Sequence, residues 1–263
     1  MKILTIKCLM ILVIGVLGFV RVGAQNGSTS ITPNSDAAAG LDLYAVAELF
    51  KDLENLEKFE QNLNDPEKGI NNIDLNGNGE VDFIRVTEKV TDEAHLIILQ
   101  VLLGNDDFQD VATIAVEQEN GKNYNLQLQG DPVIYGENYY VVPANNDFGA
   151  WNVVRWLFTP NYHPYYSPYG YRTLPNWWSV RRPVTYAVYH ARTGVFAGRN
   201  FVASKTVRVK TVAKVNYRPR TSTLVVKKVA VTHAPVTPTR PGNGGRTTVT
   251  TTNTKVVKPR KNH

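Results

Sequence analysis

The sequence predicts an α+β architecture: N-terminal helices packed on an antiparallel β-meander, followed by a basic Tyr/Trp/Pro-rich region and a disordered tail. Three observations predict it. Apolar residues recur at helical spacing from Leu43 to Leu63. Beyond residue 80 the apolar runs are short and separated by polar, glycine-containing turns, too brief for the crossovers a parallel sheet needs. All 23 Asp and Glu of the 263-residue chain lie at or before Asp147. Residues 25–147 hold six Lys and Arg and carry a net −17, whereas 148–263 carry +20.

Residues 1–24 read as a secretory signal peptide. Lys2 and Lys7 precede a 13-residue apolar core at 8–20, and Val22-Gly23-Ala24 offers small residues to a signal peptidase. As a helix the core rises about 20 Å, short of a hydrocarbon layer of about 30 Å, which disfavours the alternative of an uncleaved anchor. Cys8 is the one cysteine. Its removal leaves no thiol for disulfides, nucleophilic catalysis or Cys-ligated metals. The expected location is periplasmic, outer-surface or extracellular, and no later apolar stretch is long enough to span a bilayer.

A flexible lead-in is expected over 25–40, where small and polar residues dominate. The acidic α+β domain follows over 41–147. Leu43, Val46, Ala47 and Phe50 fall at i, i+3, i+4 and i+7, and Leu53, Leu56, Phe59 and Leu63 continue the stripe. Asp52 is the expected cap of a second helix, and Asn64-Asp65-Pro66 its end. Strands are expected at 81–86, 96–103, 111–116, 123–128 and 139–142. Leu96-Ile97-Ile98-Leu99 lacks polar alternation and should be covered on both faces.

Between 74 and 82 the sequence Asp-Leu-Asn-Gly-Asn-Gly-Glu-Val-Asp places oxygen donors at alternate positions. Calcium takes six to eight hard oxygens near 2.4 Å, and alternate side chains of a tight loop converge on one point. Asp74, Asn76 and Asn78 would supply the first three ligands, Gly79 the sharp turn, the Glu80 carbonyl the next, and Asp82 the last. The segment resembles the D-x-[DN]-x-[DN]-G loops of EF-hands, dockerin repeats and FG-GAP propeller blades. Arg85 stands where an EF-hand of this loop, 74–85, has its bidentate Glu, and 83–86 reads as strand, so the FG-GAP type is the nearer. The resemblance implies a weak Ca2+ site, at roughly 10⁻⁴–10⁻³ M. The alternative is a metal-free hairpin, since Asn76-Gly77 and Asn78-Gly79 are strong turn signals. The whole layout is similar to uncharacterised exported bacterial proteins, a likeness that implies no activity.

No serine-elbow, zincin, P-loop or dinucleotide fingerprint occurs. His95 heads the apolar strand and reads as structural, while His163 and His190 lie where no neighbouring carboxylate can orient them. No catalytic residue is assigned. The alternative to a binding protein is a carbohydrate-active enzyme or accessory module, which needs two carboxyls about 5–10 Å apart in a pocket.

The region 148–231 holds 16 of the 26 aromatic residues up to Tyr217. One helix is expected over 148–158, capped by Asp147, with strands over 184–189, 205–215 and 224–231. Residues 232–263, rich in Thr, Pro, Gly, Lys and Arg, bury too little to order. Tyr165, Tyr166, Arg172, Trp177, Trp178, Arg181 and Arg182 are the candidate contacts for an anionic envelope polymer, cations neutralising its charge while rings stack. Docking of this region on the chain's own acidic domain, or charge-driven self-association, is the second reading. Solvated charges around a small aromatic core are the third. An exported, non-enzymatic binding or structural protein is the function these features favour.

Overall fold

The computed structural model describes residues 38–211 and 215–232. The expected signal peptide, nearly all of the lead-in and the tail beyond residue 232 lie outside the described residues. Asp42 opens helix α1 (Leu43–Lys51) by accepting the Tyr44 N–H at 2.8 Å. The predicted stripe Leu43, Val46, Ala47 and Phe50 is wholly buried. Helix α2 (Leu56–Leu63) is capped by Asn55, whose Oδ1 accepts the Lys58 N–H at 2.8 Å, and not by Asp52. Asp52 instead ends α1, its N–H bonding the Phe50 carbonyl. Phe50 and Phe59 lock the two helices edge to face, centroids 5.6 Å apart.

Six strands form one antiparallel meander in chain order: β1 (Ile84–Thr91), β2 (Ala94–Leu102), β3 (Phe108–Glu119), β4 (Asn123–Gly130), β5 (Tyr140–Pro143) and β6 (Phe201–Ser204). The α+β class therefore holds. Strand β1 starts three residues later than the hydropathy suggested and runs to Thr91, where a two-residue turn returns the chain to Ala94. Side chains alternate across β2. Ile97, Leu99 and Val101 join the core beneath the helices, while Leu96 and Ile98 face the other way, against Ala115 and Val209.

The compositional boundary at 147 does not interrupt the packing. Phe148, Val153, Val154, Leu157 and Phe201 belong to the same core as α1 and α2. Strand β6 pairs with β5 from Tyr140↔Ser204 to Pro143↔Phe201. The short helix α3 (Pro132–Tyr135) links β4 toward β5.

Three local expectations are corrected. The single helix over 148–158 is a 3₁₀ turn at Asp147–Ala150 followed by α4 (Asn152–Leu157), and Asp147 does not cap it. Gly149 weakens helix continuity and admits the Tyr124 ring: a Cβ there would lie 2.8 Å from Tyr124 Cδ2. Residues 186–193 and 223–232 are helices, α5 (Tyr186–Thr193) and α6 (Thr223–Thr232), where strands were expected. In α5 the buried pair is Tyr189 and Thr193, four residues apart, while Tyr186 and Val188, which suggested alternation, are exposed. Residues 205–211 form no strand. They cross the second face of the sheet, where Val209 covers Leu96 and Ile98.

Candidate functional site

Two buried asparagines position the oxygen-rich loop. Asn64, at the end of α2, bonds both backbone groups of Ile84, with its Nδ2 at 2.7 Å and Oδ1 at 2.9 Å. Asn71 donates to the Asn64 side chain at 3.1 Å and to the Asp82 carbonyl at 2.8 Å. The loop thus hangs from the α2–β1 junction and runs directly into strand. Within it the Asp74 carboxylate accepts the N–H groups of Gly77 at 2.6 Å and Gly79 at 3.0 Å. Asn76 and Asn78 accept from Asn78 N–H and Glu80 N–H, at 2.9 and 2.8 Å. Asp82 closes the ring by accepting from Leu75 N–H at 2.6 Å and Asn76 Nδ2 at 3.0 Å.

Positive φ at Gly77 (73°) and Gly79 (84°) makes these returns possible. Burial, and to a lesser degree the neighbouring Asp74 charge, push the Asp82 carboxyl up to about 7. Each Asp74 oxygen spends one lone pair on an amide and keeps another. Lys228 of α6 brings its ammonium to the Asp74 carbonyl at 2.9 Å, an approach that sequence spacing could not have indicated. The donor set fits a hard cation, with two carboxylates from Asp74 and Asp82 plus neutral oxygens of Asn76, Asn78 and Glu80. Among the described residues, no three His, Cys, Asp or Glu side chains converge as a metal group.

The residue after Asp82 begins a second feature. Phe83 is buried against Tyr169, Trp177 and Trp178, at centroid distances of 5.8, 5.9 and 5.3 Å. The Arg181 guanidinium lies over the Trp178 ring at 4.7 Å and donates to the Asn71 carbonyl at 3.1 Å. Its own carbonyl accepts the Val81 N–H at 2.8 Å. The expected metal loop therefore adjoins three of the seven expected polymer contacts, Trp177, Trp178 and Arg181.

The seven candidate contact residues divide by exposure. Tyr166 and Trp177 are 58 % and 38 % exposed, and Arg172 and Arg182 face solvent with side chains that bond no described group. Trp178 and Arg181 instead build the platform, and burial lowers the Arg181 pKa. Tyr165 turns inward, its N–H donating to Glu88 at 3.0 Å and its hydroxyl to Glu60 at 3.5 Å.

Those two glutamates, unnoticed in the sequence, fasten the aromatic segment to the sheet. Glu60 accepts from Val86 N–H at 2.6 Å and Ser167 Oγ at 3.0 Å, and burial pushes it up to about 7. Glu88 accepts from Tyr162 at 2.5 Å and pairs with His95 Nδ1 at 2.7 Å, which makes His95 a buried structural residue. Ser167 N–H bonds the Val86 carbonyl at 2.9 Å, so this segment also covers the β1 edge.

On the second face the basic region meets carboxylates and amides through its backbone. Arg208 N–H donates to Gln127 at 2.6 Å, Lys210 N–H to Glu117 at 3.4 Å and Arg220 N–H to Asp110 at 2.9 Å. The Tyr217 hydroxyl also donates to Asp110. Arg85 and Arg220 stack on the Phe108 ring, at 4.1 and 5.0 Å. Beside this junction Asp110 and Asp131 line a cavity of about 60 Å³, room for a water or two and too small for a pyranose. Burial raises both carboxyls, Asp131 up to about 6. No described helix is long and apolar enough to cross a membrane. No family model matches the chain, and neither a curated protein nor a solved structure is significantly similar to it.

Proposed function

We propose that the chain is an exported, non-enzymatic binding protein whose surface of Tyr166, Arg172, Trp177 and Arg182 contacts an anionic polymer. In this reading a calcium ion in the 74–82 loop stiffens the platform from behind. One observation carries it: Arg172, Arg182, Tyr166 and Trp177 are exposed and the two arginine side chains bond no described group, while Glu60 and Glu88 under the same segment are satisfied by backbone N–H and hydroxyl groups. Docking on the sheet therefore does not consume the guanidinium charge. A polyanion supplies what these groups lack, with charge for Arg172 and Arg182 and flat faces for Trp177. The test is retention of the full chain on immobilised heparin at 150 mM salt. Arg172→Gln with Arg182→Gln should elute earlier. Retention equal to that of the parent chain overturns the proposal.

A further inference from the structure

At the far end of the β3–β4 hairpin, a cleft of about 300 Å³ opens between the start of β4, the 146–149 turn and the chain that follows β6. Its lining includes two cations, Lys122 and Arg208, and no acid. Three amide side chains, those of Asn123, Asn125 and Asn146, line it too and bond no described protein group. One wall is the Tyr124 ring, fixed by a 2.9 Å bond from Gln118 Nε2 to its hydroxyl and by its contact with Phe158 at 5.4 Å. Gly149 lets that ring close the wall, because any Cβ would collide with it. Arg208 is anchored at the rim by its N–H on Gln127. The hairpin loop takes positive φ at Asn120 (52°) and Gly121 (69°), which fixes where Lys122 leaves the sheet.

We infer that this cleft binds a single carboxylated sugar residue, a uronate-like pyranose. This rests on the polymer reading above and names the unit that the polymer would present. The volume sits at the small end of ligand sites, where one pyranose fits. A guanidinium matches a planar carboxylate in a two-pronged bond, with Lys122 as a second charge. Amides that both donate and accept suit a ring of hydroxyls, and a tyrosine face suits the C–H side of a pyranose. A guanidinium and an ammonium hold phosphate as readily as carboxylate, but a bare phosphate leaves the three amides and the tyrosine face without partners, so phosphate is the competitor in the test.

The test titrates the full chain with methyl glucuronide, methyl glucoside and inorganic phosphate, read by chemical shift or calorimetry. Glucuronide should bind at millimolar concentration, at least tenfold tighter than glucoside, without displacement by equimolar phosphate. Arg208→Gln, an exposed position, should lose about tenfold with an unchanged melting temperature. Equal binding of glucoside, displacement by phosphate, undiminished binding by the variant, or no binding at all overturns the inference. Heparin retention measured on the same samples separates the two claims. Retention without glucuronide binding sinks the cleft alone, and loss of both sinks the polymer reading as well.

Discussion

Trp178 stands edge-on to Phe83, ring centroids 5.3 Å apart at an interplanar angle of 84°. Phe83 follows Asp82, whose carboxylate points back into the loop. In an extended backbone consecutive side chains take opposite directions. One dipeptide therefore joins the oxygen-donor ring to the indole platform, and the order of one should be felt by the other.

Calcium at millimolar concentration should raise the melting temperature of the chain. At ten times the dissociation constant, mass action adds about 1.4 kcal/mol to the folded state. Indole fluorescence should change in the same titration, because Trp178 rests on Phe83. Asp74→Asn combined with Asp82→Asn should remove both responses. A double variant that responds as the parent does would leave the loop a plain hairpin.

Phe83 and Trp177 should separate folding from binding. Phe83→Ala removes a buried ring at the centre of three aromatic contacts and should cost about 3–5 kcal/mol. Trp177→Ala takes away a partly exposed ring and should cost far less stability while weakening heparin retention. Denaturant melts beside the column assay distinguish them. Equal loss of stability in both variants would make Trp177 part of the core.

Much of the meander and both N-terminal helices were legible because their side chains alternate or recur with the period of the element. Leu96 to Leu99 announced a strand covered on both faces, and it is. What covers the second face was not legible. Arg208, Lys210 and Arg220 dock through backbone N–H groups, which every residue possesses and no side-chain pattern reveals. Strand β6 escaped notice because four residues carry too little periodicity, although Phe201 is fully buried. The misread helices α5 and α6 are rich in valine and tyrosine, and their strand preference yields to packing by Tyr189 and Val225. At the site, oxygen spacing marked the loop, whereas Lys228 and the inward turn of Tyr165 depend on contacts over 100 residues apart in sequence.

Stability should fall as pH rises from about 4.5 to 7, and Glu60 should account for part of the fall. Its carboxyl is raised by burial from an ordinary 4.5 to about 7. Between those values the folded chain holds a proton that the unfolded chain has lost, so the slope of stability with pH is negative. The stabilisation is complete below 4.5 and gone above 7, and one such group contributes at most about 1.4 kcal/mol per pH unit. Glu60→Gln should flatten the curve in that window, by urea melts at half-unit intervals. A slope equal to the parent's would place the titrating group elsewhere, Asp82 and Asp131 being the next to examine.

Salt should release the polymer without releasing the basic region from the sheet. Binding to a polyanion frees condensed counterions, so log affinity should fall linearly with log salt. Each cation in contact contributes about 0.7–0.9 to the slope on nucleic acids, and a glycan should follow the same form. Arg172→Gln with Arg182→Gln should therefore reduce the slope by roughly 1–2. The contacts to Asp110, Gln127 and Glu88 are backbone amide bonds to buried acceptors, which ions screen poorly. The melting temperature should accordingly stay level from about 50 to 500 mM salt, a single decade that spans the roughly 0.1 M at which the Debye length is about 10 Å. A melting temperature that drops in step with affinity would mean that the basic region leaves the sheet. The cations would then belong to internal docking, and the polymer contact would lose its support.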